Sequence, residues 1–243
     1  AFLAWGFVGI TTGLLALIVL AETERGAEGK VDASRKPSIR LQKELFTPKN
    51  VTVFGLLALI IIFSGILWDG VSAFLVAYIT EVKGTELLLA GGLATVSYLV
   101  GSLAQIVGGE LSDRMGRGLV LLLGLGSYSL ALLAFTLPHV NSPILIALMV
   151  SLLGFTFFVT QAPLGALLGD LSPARTMGLT YGLNFAVKYG IGGIAPAIAG
   201  YIAERYTMDA MFYFFAAISA LSFVAAIPIY LLRETRQKGQ PLT

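Results

Sequence analysis

Long apolar runs separated by short polar segments dominate the sequence. The runs long enough to span a membrane are residues 1–21, 51–80, 87–109, 119–138, 144–169, 177–203 and 211–232. Each provides the ~20 residues with which an α-helix crosses ~30 Å of hydrocarbon. Barrel strands would alternate apolar and polar residues, which these runs do not. Because backbone groups in lipid must be hydrogen-bonded internally, the pattern predicts an all-α polytopic membrane protein with seven transmembrane helices.

The composition agrees with a membrane protein and excludes several kinds of site. Of the 243 residues, 56% are hydrophobic and 12% are charged, whereas soluble domains average about 25% charged residues. The absence of cysteine excludes disulfides, thiolate metal sites and cysteine nucleophiles. The single histidine, His139, excludes any site that needs two histidines.

The placement of basic residues predicts an orientation. Thirteen of the 16 lysines and arginines fall in polar segments that would share one side of the membrane, namely 22–50, 109–118, 170–176 and 233–243. The opposite side would carry Lys83 and Arg205, and Lys188 lies inside a span. Since cytoplasmic loops are enriched in basic residues, the N-terminus of this chain is expected outside and the C-terminus in the cytoplasm of a plasma membrane.

The segment 109–118, with the sequence GELSDRMGRG, carries four charges between two apolar runs. Such charges cannot lie in hydrocarbon, so the segment predicts a tight turn at the membrane surface. Gly109 and Gly116 would allow the close backbone approach that the turn needs. Asp170 ends a neighbouring run on the same side, and it is a candidate partner for Arg114 or Arg117.

These residues resemble the signature of the major facilitator superfamily: a glycine, a leucine, Ser-Asp-Arg, a spacer and Gly-Arg. The one departure is Gly118, where a second basic residue is common. The resemblance implies a gating motif of Gly109, Asp113, Arg114, Gly116 and Arg117, to which the position of Asp170 in the sequence adds a candidate partner. In the family, the aspartate of this loop contacts the opposite half of the transporter when the cytoplasmic side is closed.

The resemblance also implies a domain organisation. Residues 1–21 correspond to the sixth of twelve helices, 22–50 to the central cytoplasmic loop, and 51–232 to the second six-helix half. Residues 233–243 form a cytoplasmic tail. Within the loop, apolar residues at helical spacing over 38–46 fit either a helix on the membrane surface or a solvated loop. We therefore expect a first half of the same protein upstream of this chain.

Two ionisable residues lie inside predicted spans. Asp69 follows Trp68 in the second span, and Lys188 is near the middle of the sixth. Each costs about 2.5–3.5 kcal/mol at a helix centre, so each is expected to face a cavity or a partner. Their depths differ by ~6 Å, at 1.5 Å per residue. They form either a direct pair or two separate charges that line a cavity.

Polar residues at helical spacing extend this candidate site. Tyr181, Asn184 and Lys188 share one face of the sixth span, and Tyr98 and Gln105 share one face of the third. Gln161 precedes Pro163 in the fifth. We identify the candidates for solute or proton binding as Asp69, Lys188, Asn184, Tyr181, Gln161, Tyr98, Gln105 and Trp68. The alternative is that these groups make interhelical hydrogen bonds without a ligand.

The favoured function is secondary active transport of a small solute by alternating access. The solute would be a drug or metabolite that is exported, or a sugar or organic anion carried by a permease. Asp69 is the candidate proton-coupling residue, because a carboxylate in an apolar environment binds a proton readily. Lys188 would contact an anionic solute group or neutralise Asp69. The implied partners are the solute, protons, the lipid bilayer and the first half, with no nucleic acid and no cofactor.

Two other functions fit part of this pattern. A seven-helix receptor or retinal protein has the same topology, but a retinal protein carries its lysine in the last helix and would not need the charged turn. The sequence offers few catalytic side chains for an intramembrane enzyme, since there is one histidine, no cysteine and no Gly-x-Ser-x-Gly sequence. The chain also lacks the phosphate-binding loop that ATP-driven transport requires.

Overall fold

A computed structural model describes residues 48–172 and 177–237, and all of the elements in that part of the chain are helices. In chain order they are α1 (Pro48–Glu81), α2 (Leu87–Met115), α3 (Arg117–Phe135), α4 (Pro143–Phe158), α5 (Gln161–Leu171), α6 (Met177–Gly192), α7 (Ala195–Arg205) and α8 (Met208–Gln237). They form six stretches that are long and apolar enough to cross a membrane. The all-α membrane fold is thus confirmed for the described residues. The predicted first span and nearly all of the 22–50 loop lie outside them.

Short connections make successive spans run in opposite directions. We call the end of the bundle that carries Gly116 the motif end, and the end that carries the α1–α2 connection the far end. At the motif end, α2 continues to Met115, and Gly116 alone separates it from α3. The predicted ten-residue turn is therefore shorter than expected. At the far end, Ser142 caps α4 by accepting a hydrogen bond from the Leu145 amide at 3.3 Å.

Two predicted spans, 144–169 and 177–203, each consist of two helices. The first is interrupted between Phe158 and Gln161, and the second between Gly192 and Ala195. Pro163 and Pro196 lie just beyond the interruptions. Because proline has no N–H and its ring crowds the preceding turn, each of these prolines favours an interruption of the helix just before it.

The interior contains two apolar clusters. The cluster toward the far end is rich in aromatic residues, and its largest side chains are Tyr78, Tyr128, Phe135, Phe212 and Phe215. The cluster toward the motif end is aliphatic and includes Leu57, Ile60, Leu121, Leu167 and Ile229. Both draw on α1, α3 and α8, so these helices form the inside of the bundle. The α6–α7 span is the least buried, which leaves α6 accessible along much of its length.

Glycines bring α2 and α4 into backbone contact. A Cβ on Gly154 would overlap the Ser97 carbonyl oxygen, and a Cβ on Gly108 would overlap that of Val159. Small residues allow helices in a membrane to approach this closely, and van der Waals contact between the backbones then stabilises the pair. The register of α2 against α4 is therefore set by glycine positions.

A polar cluster joins three segments at the far end. The Tyr78 hydroxyl donates a hydrogen bond to Asp209 Oδ1. Lys83 Nζ donates to the Leu137 carbonyl at 3.1 Å, and it lies 5.4 Å from the Tyr78 ring centroid and 5.7 Å from that of Phe135. Burial lowers the pKa of Lys83, and the Asp209 carboxylate opposes that shift. This far-end cluster ties the α1–α2 connection to the α3–α4 loop and to the start of α8.

Candidate functional site

Asp69 and Lys188 lie where α1 crosses α6. The backbones touch there, because a Cβ on Gly65 would overlap the Lys188 carbonyl oxygen and a Cβ on Gly192 would lie 2.5 Å from Asp69 Oδ2. Gly65 and Asp69 are one turn apart on α1, as are Lys188 and Gly192 on α6. The two ionisable residues are thus offset in depth by about one turn, ~6 Å. This offset equals the one expected from the sequence.

The Lys188 ammonium binds the side chain of Gln161. Nζ donates a hydrogen bond to Gln161 Oε1 at 2.8 Å, and Gln161 Nε2 donates to Thr160 Oγ1 at 3.1 Å. Nζ also lies 6.0 Å from the Phe157 ring centroid. Asp69 acts on Lys188 through longer-range electrostatics. The structure therefore has two separate charges rather than a direct pair.

The interrupted spans surround this hydrogen bond. Gln161 is the first residue of α5, directly after one interruption, and Lys188 precedes the other by one turn. Interrupted membrane helices present polar groups at depths where continuous helices present hydrocarbon, and transporters bind their substrates at such places. The arrangement can attract an anionic group at Lys188 and hold or release a proton at the Asp69 carboxylate.

An aromatic group lies beside the charges. The Trp68 ring is 5.0 Å from that of Tyr98, 4.9 Å from that of Phe157 and 4.6 Å from that of Phe158, measured between centroids. Trp68 thereby joins α1 to α2 and α4, one residue before Asp69. These contacts fix the rotation of α1, and hence the direction in which the Asp69 side chain leaves the helix.

The other predicted solute-site residues are dispersed. The Tyr181 hydroxyl donates to the Gly165 carbonyl at 2.8 Å, so it joins α6 to α5. Asn184 lines a cavity between α1, α5 and α6. Tyr98 is half exposed at its contact with Trp68, and Gln105 is exposed. The structure therefore brings Asp69, Lys188, Gln161 and Trp68 together, with Asn184 one turn from Lys188.

At the motif end, Arg117 pairs with Asp170. Arg117 Nη1 contacts Asp170 Oδ1 and also donates to the Ala166 carbonyl at 3.3 Å. The other basic candidate, Arg114, pairs with Glu110 at 2.5 Å on the exposed surface of α2. The long-range ion pair therefore belongs to Arg117, and it joins the start of α3 to the end of α5.

The two motif glycines have different structural roles. Gly116 has φ +95° and ψ 136°, a conformation in which a side chain is strained. Gly109 lies within α2, where a Cβ would meet Ala162 Cβ at an ordinary 3.7 Å. Asp113 is exposed two residues before the end of α2. Only Gly116 is required by the turn itself.

Sequence reasoning did not identify the far-end cluster. Lys83 and Asp209 each stand within one turn of a predicted span end, on the same predicted side of the membrane. This common position at the membrane surface was the one feature of the sequence that could have indicated their contact. Elsewhere in residues 48–172 and 177–237, no three His, Cys, Asp or Glu side chains lie together as a metal site would require.

The sequence matches a known family. A model described as Major Facilitator Superfamily matches residues 1–196. The chain is 25% identical over 211 residues to the fosmidomycin resistance protein of Escherichia coli (strain K12), covering 84% of this chain and 49% of that protein. It is 27% identical over 147 residues to the multidrug resistance protein MdtL of Klebsiella pneumoniae, covering 59% and 36%.

The fold also resembles that of solved structures. A crystal structure of the peptide transporter POT in complex with sulfate superposes with a TM-score of 0.63 at 18% identity. That match covers 72% of this chain and 37% of the other. The chain spans about half the length of the fosmidomycin resistance protein, and less of MdtL.

Proposed function

Because the chain belongs to the major facilitator superfamily, we propose that it transports a small organic solute across a membrane by alternating access, together with a second six-helix unit. It is a multi-pass membrane protein of a family of transporters, not enzymes. Movement of the solute would follow from the rocking of the two units around a site near the middle of the membrane.

The hydrogen bond between Lys188 and Gln161 carries this proposal. An ammonium inside the hydrocarbon region is unfavourable unless it has a partner. The neutral Gln161 amide accepts a hydrogen bond from one of the three ammonium N–H groups, but it leaves the charge uncompensated at short range. An anionic solute group would complete that compensation by displacing the amide, so the site favours organic anions over neutral solutes.

Asp69 is the proposed coupling residue. It lies about one turn from Lys188 and lowers the local excess of positive charge when it is ionised. Binding of a proton to Asp69 would strengthen the attraction of Lys188 for an anion, and release of that proton would weaken it. Proton and solute would therefore bind together and cross the membrane in the same direction, as in a proton symporter.

At the motif end we propose a gate. The Arg117–Asp170 pair would hold the ends of α3 and α5 together, while the exposed Asp113 would contact the second unit when that end is closed. This end would face the cytoplasm of a plasma membrane, as the distribution of basic residues predicts. Because the chain has no cysteine, single cysteines at Glu86 and Glu110 can test the orientation. An impermeant maleimide added to intact cells should label position 86 and not position 110.

The transport test uses vesicles that contain the protein and a proton-sensitive dye. Addition of fosmidomycin, or of members of a panel of organic anions, under an imposed pH gradient should produce solute-dependent proton flux. Lys188→Gln and Asp69→Asn should abolish it. Lys83→Gln, which removes a buried lysine outside the proposed site, is the matched control and should retain the flux. Normal flux in Lys188→Gln or Asp69→Asn would refute the assigned roles.

A further inference from the structure

A cavity lies on the motif side of the α1–α6 crossing. Its volume is about 190 Å³. It is lined by Phe54, Ala58 and Ile61 of α1, Leu168 of α5, and Thr180, Leu183, Asn184 and Val187 of α6. An apolar cavity of ~150 Å³ in another protein holds one benzene molecule. This cavity therefore has room for a group about the size of one aromatic ring.

The cavity wall is almost entirely hydrocarbon. Six of its lining side chains are apolar, and the polar ones, Thr180 and Asn184, both come from α6. A charged or strongly polar group would lose its hydration in such a place without gaining enough hydrogen bonds in return. The part of a ligand that enters the cavity is therefore apolar, with the Asn184 amide beside it on the α6 side.

Lys188 and Gln161 do not line the cavity but stand on two of its three helices, displaced toward the far end, and we call their hydrogen bond the roof of the cavity. On α6, Asn184 and Lys188 are one turn apart on the same face. On α1, Ile61 lines the cavity and Gly65, one turn further on, packs against Lys188. On α5, Leu168 lines the cavity and shares a face with Gln161, the Lys188 partner. The Lys188–Gln161 hydrogen bond therefore lies next to the cavity, on its far-end side.

We propose that this cavity binds the apolar end of an organic monoanion whose anionic group is bound by Lys188. The ligand class is a carboxylate or similar anion joined to one ring-sized apolar group, with about one helical turn, ~6 Å, between charge and ring. The assignment rests on the proposed transport function, since it names the chemical class of solute for the same lysine. The apolar wall would select the ring-sized group, and the Lys188 ammonium would select the anionic group.

Equilibrium binding tests the proposal without requiring transport. The protein in lipid nanodiscs is titrated with radiolabelled 3-phenylpropionate, with unlabelled competitors that each lack one feature. Propionate keeps the anion and lacks the ring, and 2-phenylethylamine keeps the ring and reverses the charge. We expect saturable binding of 3-phenylpropionate and at least tenfold weaker competition by both of the others. Equal competition by 2-phenylethylamine, or no saturable binding, overturns the proposal.

Two substitutions locate the ligand. Ala58→Phe fills the cavity, and its matched control is Ala73→Phe at an exposed position of the same helix. Lys188→Met removes the roof charge, and Lys83→Met is its control. We expect at least a tenfold loss of affinity in Ala58→Phe and Lys188→Met and no change in the controls. Gel filtration and thermal unfolding establish whether each variant is folded. If Ala58→Phe does not fold, the competition experiment on the unmodified protein still tests the proposal.

The outcomes separate this inference from the transport proposal. If propionate drives proton flux that protein-free vesicles and Lys188→Gln lack, while 3-phenylpropionate does not bind, transport stands and the solute class is wrong. If 3-phenylpropionate binds as expected but no anion drives flux, the binding site stands and the transport proposal fails. Competition by palmitate that exceeds that of unlabelled 3-phenylpropionate would show that the cavity takes lipid chains, and would overturn the assignment.

Discussion

Replacement of Gly65 by alanine should destabilise the protein, because α1 and α6 touch there without intervening side chains. Gly55→Ala is the matched control. It makes the same chemical change on the same helix, at a position where a Cβ meets nothing within 4 Å. The two substitutions therefore share their effect on helix propensity and differ in their effect on packing.

The expected magnitude follows from the distances. A methyl carbon at position 65 would lie 2.9 Å from the carbonyl carbon of Lys188 and 3.1 Å from its Cγ, whereas carbon atoms in contact are normally ~3.5–4.0 Å apart. The Lys188 carbonyl oxygen would be closer still, so the helices must separate by roughly 1 Å, and overpacking of this size costs about 2–3 kcal/mol, the upper part of the usual range. The higher helix propensity of alanine relative to glycine offsets up to ~1 kcal/mol of this cost. The net loss in Gly65→Ala should be about 1–2 kcal/mol, against a gain of up to ~1 kcal/mol in Gly55→Ala.

Thermal unfolding of the purified protein in detergent measures both changes. For a chain of this size, 1 kcal/mol corresponds to about 2–4 °C in Tm. We expect Tm to fall by about 2–8 °C in Gly65→Ala and to stay constant or rise in Gly55→Ala. If both variants shift Tm equally, the backbone contact between α1 and α6 is wrong, and the placement of Lys188 beside α1 is wrong with it.

Three further predictions concern the two ends of the bundle. Gly116→Ala should cost about 1–3 kcal/mol in chemical denaturation, because few side chains tolerate its backbone angles, while Gly109→Ala should change stability by less than about 1 kcal/mol. Because burial lowers the pKa of Lys83 below its ordinary 10.5, the unfolded chain binds that proton more tightly, so the free energy of unfolding should rise with pH as pH approaches 10.5. Lys83→Met should flatten that slope, and an unchanged slope would exclude Lys83 as its source. Arg117→Gln should slow transport and lower Tm more than Arg114→Gln, since exposed pairs within one helix contribute ~0.3–0.5 kcal/mol; equal effects would contradict the gating role of Arg117.

The spans could be predicted from the sequence because each is a continuous apolar run, and a lipid environment permits few alternatives to a helix. Their ends were less predictable. Glu110 and Arg114 are four residues apart, which is the spacing of an ion pair on a helix. Such charges extend α2 beyond the hydrocarbon, so the turn is reduced to Gly116 rather than the ten residues expected from charge density.

The depth of the intramembrane charges was also predictable, since it depends on residue counting along two helices. The partner of Lys188 was not, because a partner depends on how neighbouring helices rotate about their axes. That rotation is set by contacts distant in sequence, such as Gly65 against Lys188. Gln161 was therefore found as a candidate, but its hydrogen bond to Lys188 required the structure.

The glycine contacts between α1 and α6, and between α2 and α4, also limit how the bundle can deform. Side chains can adjust to a small displacement by changing rotamer, but two peptide backbones in direct contact have no such freedom. Each of these two helix pairs should therefore move as a rigid body. The interruption after Phe158 is held in the same way, because Val159 itself contacts the backbone of α2. Bending during a transport cycle would then be concentrated at the interruption after Gly192, which makes the exposed residues 193–194 the place to attach probes that report motion.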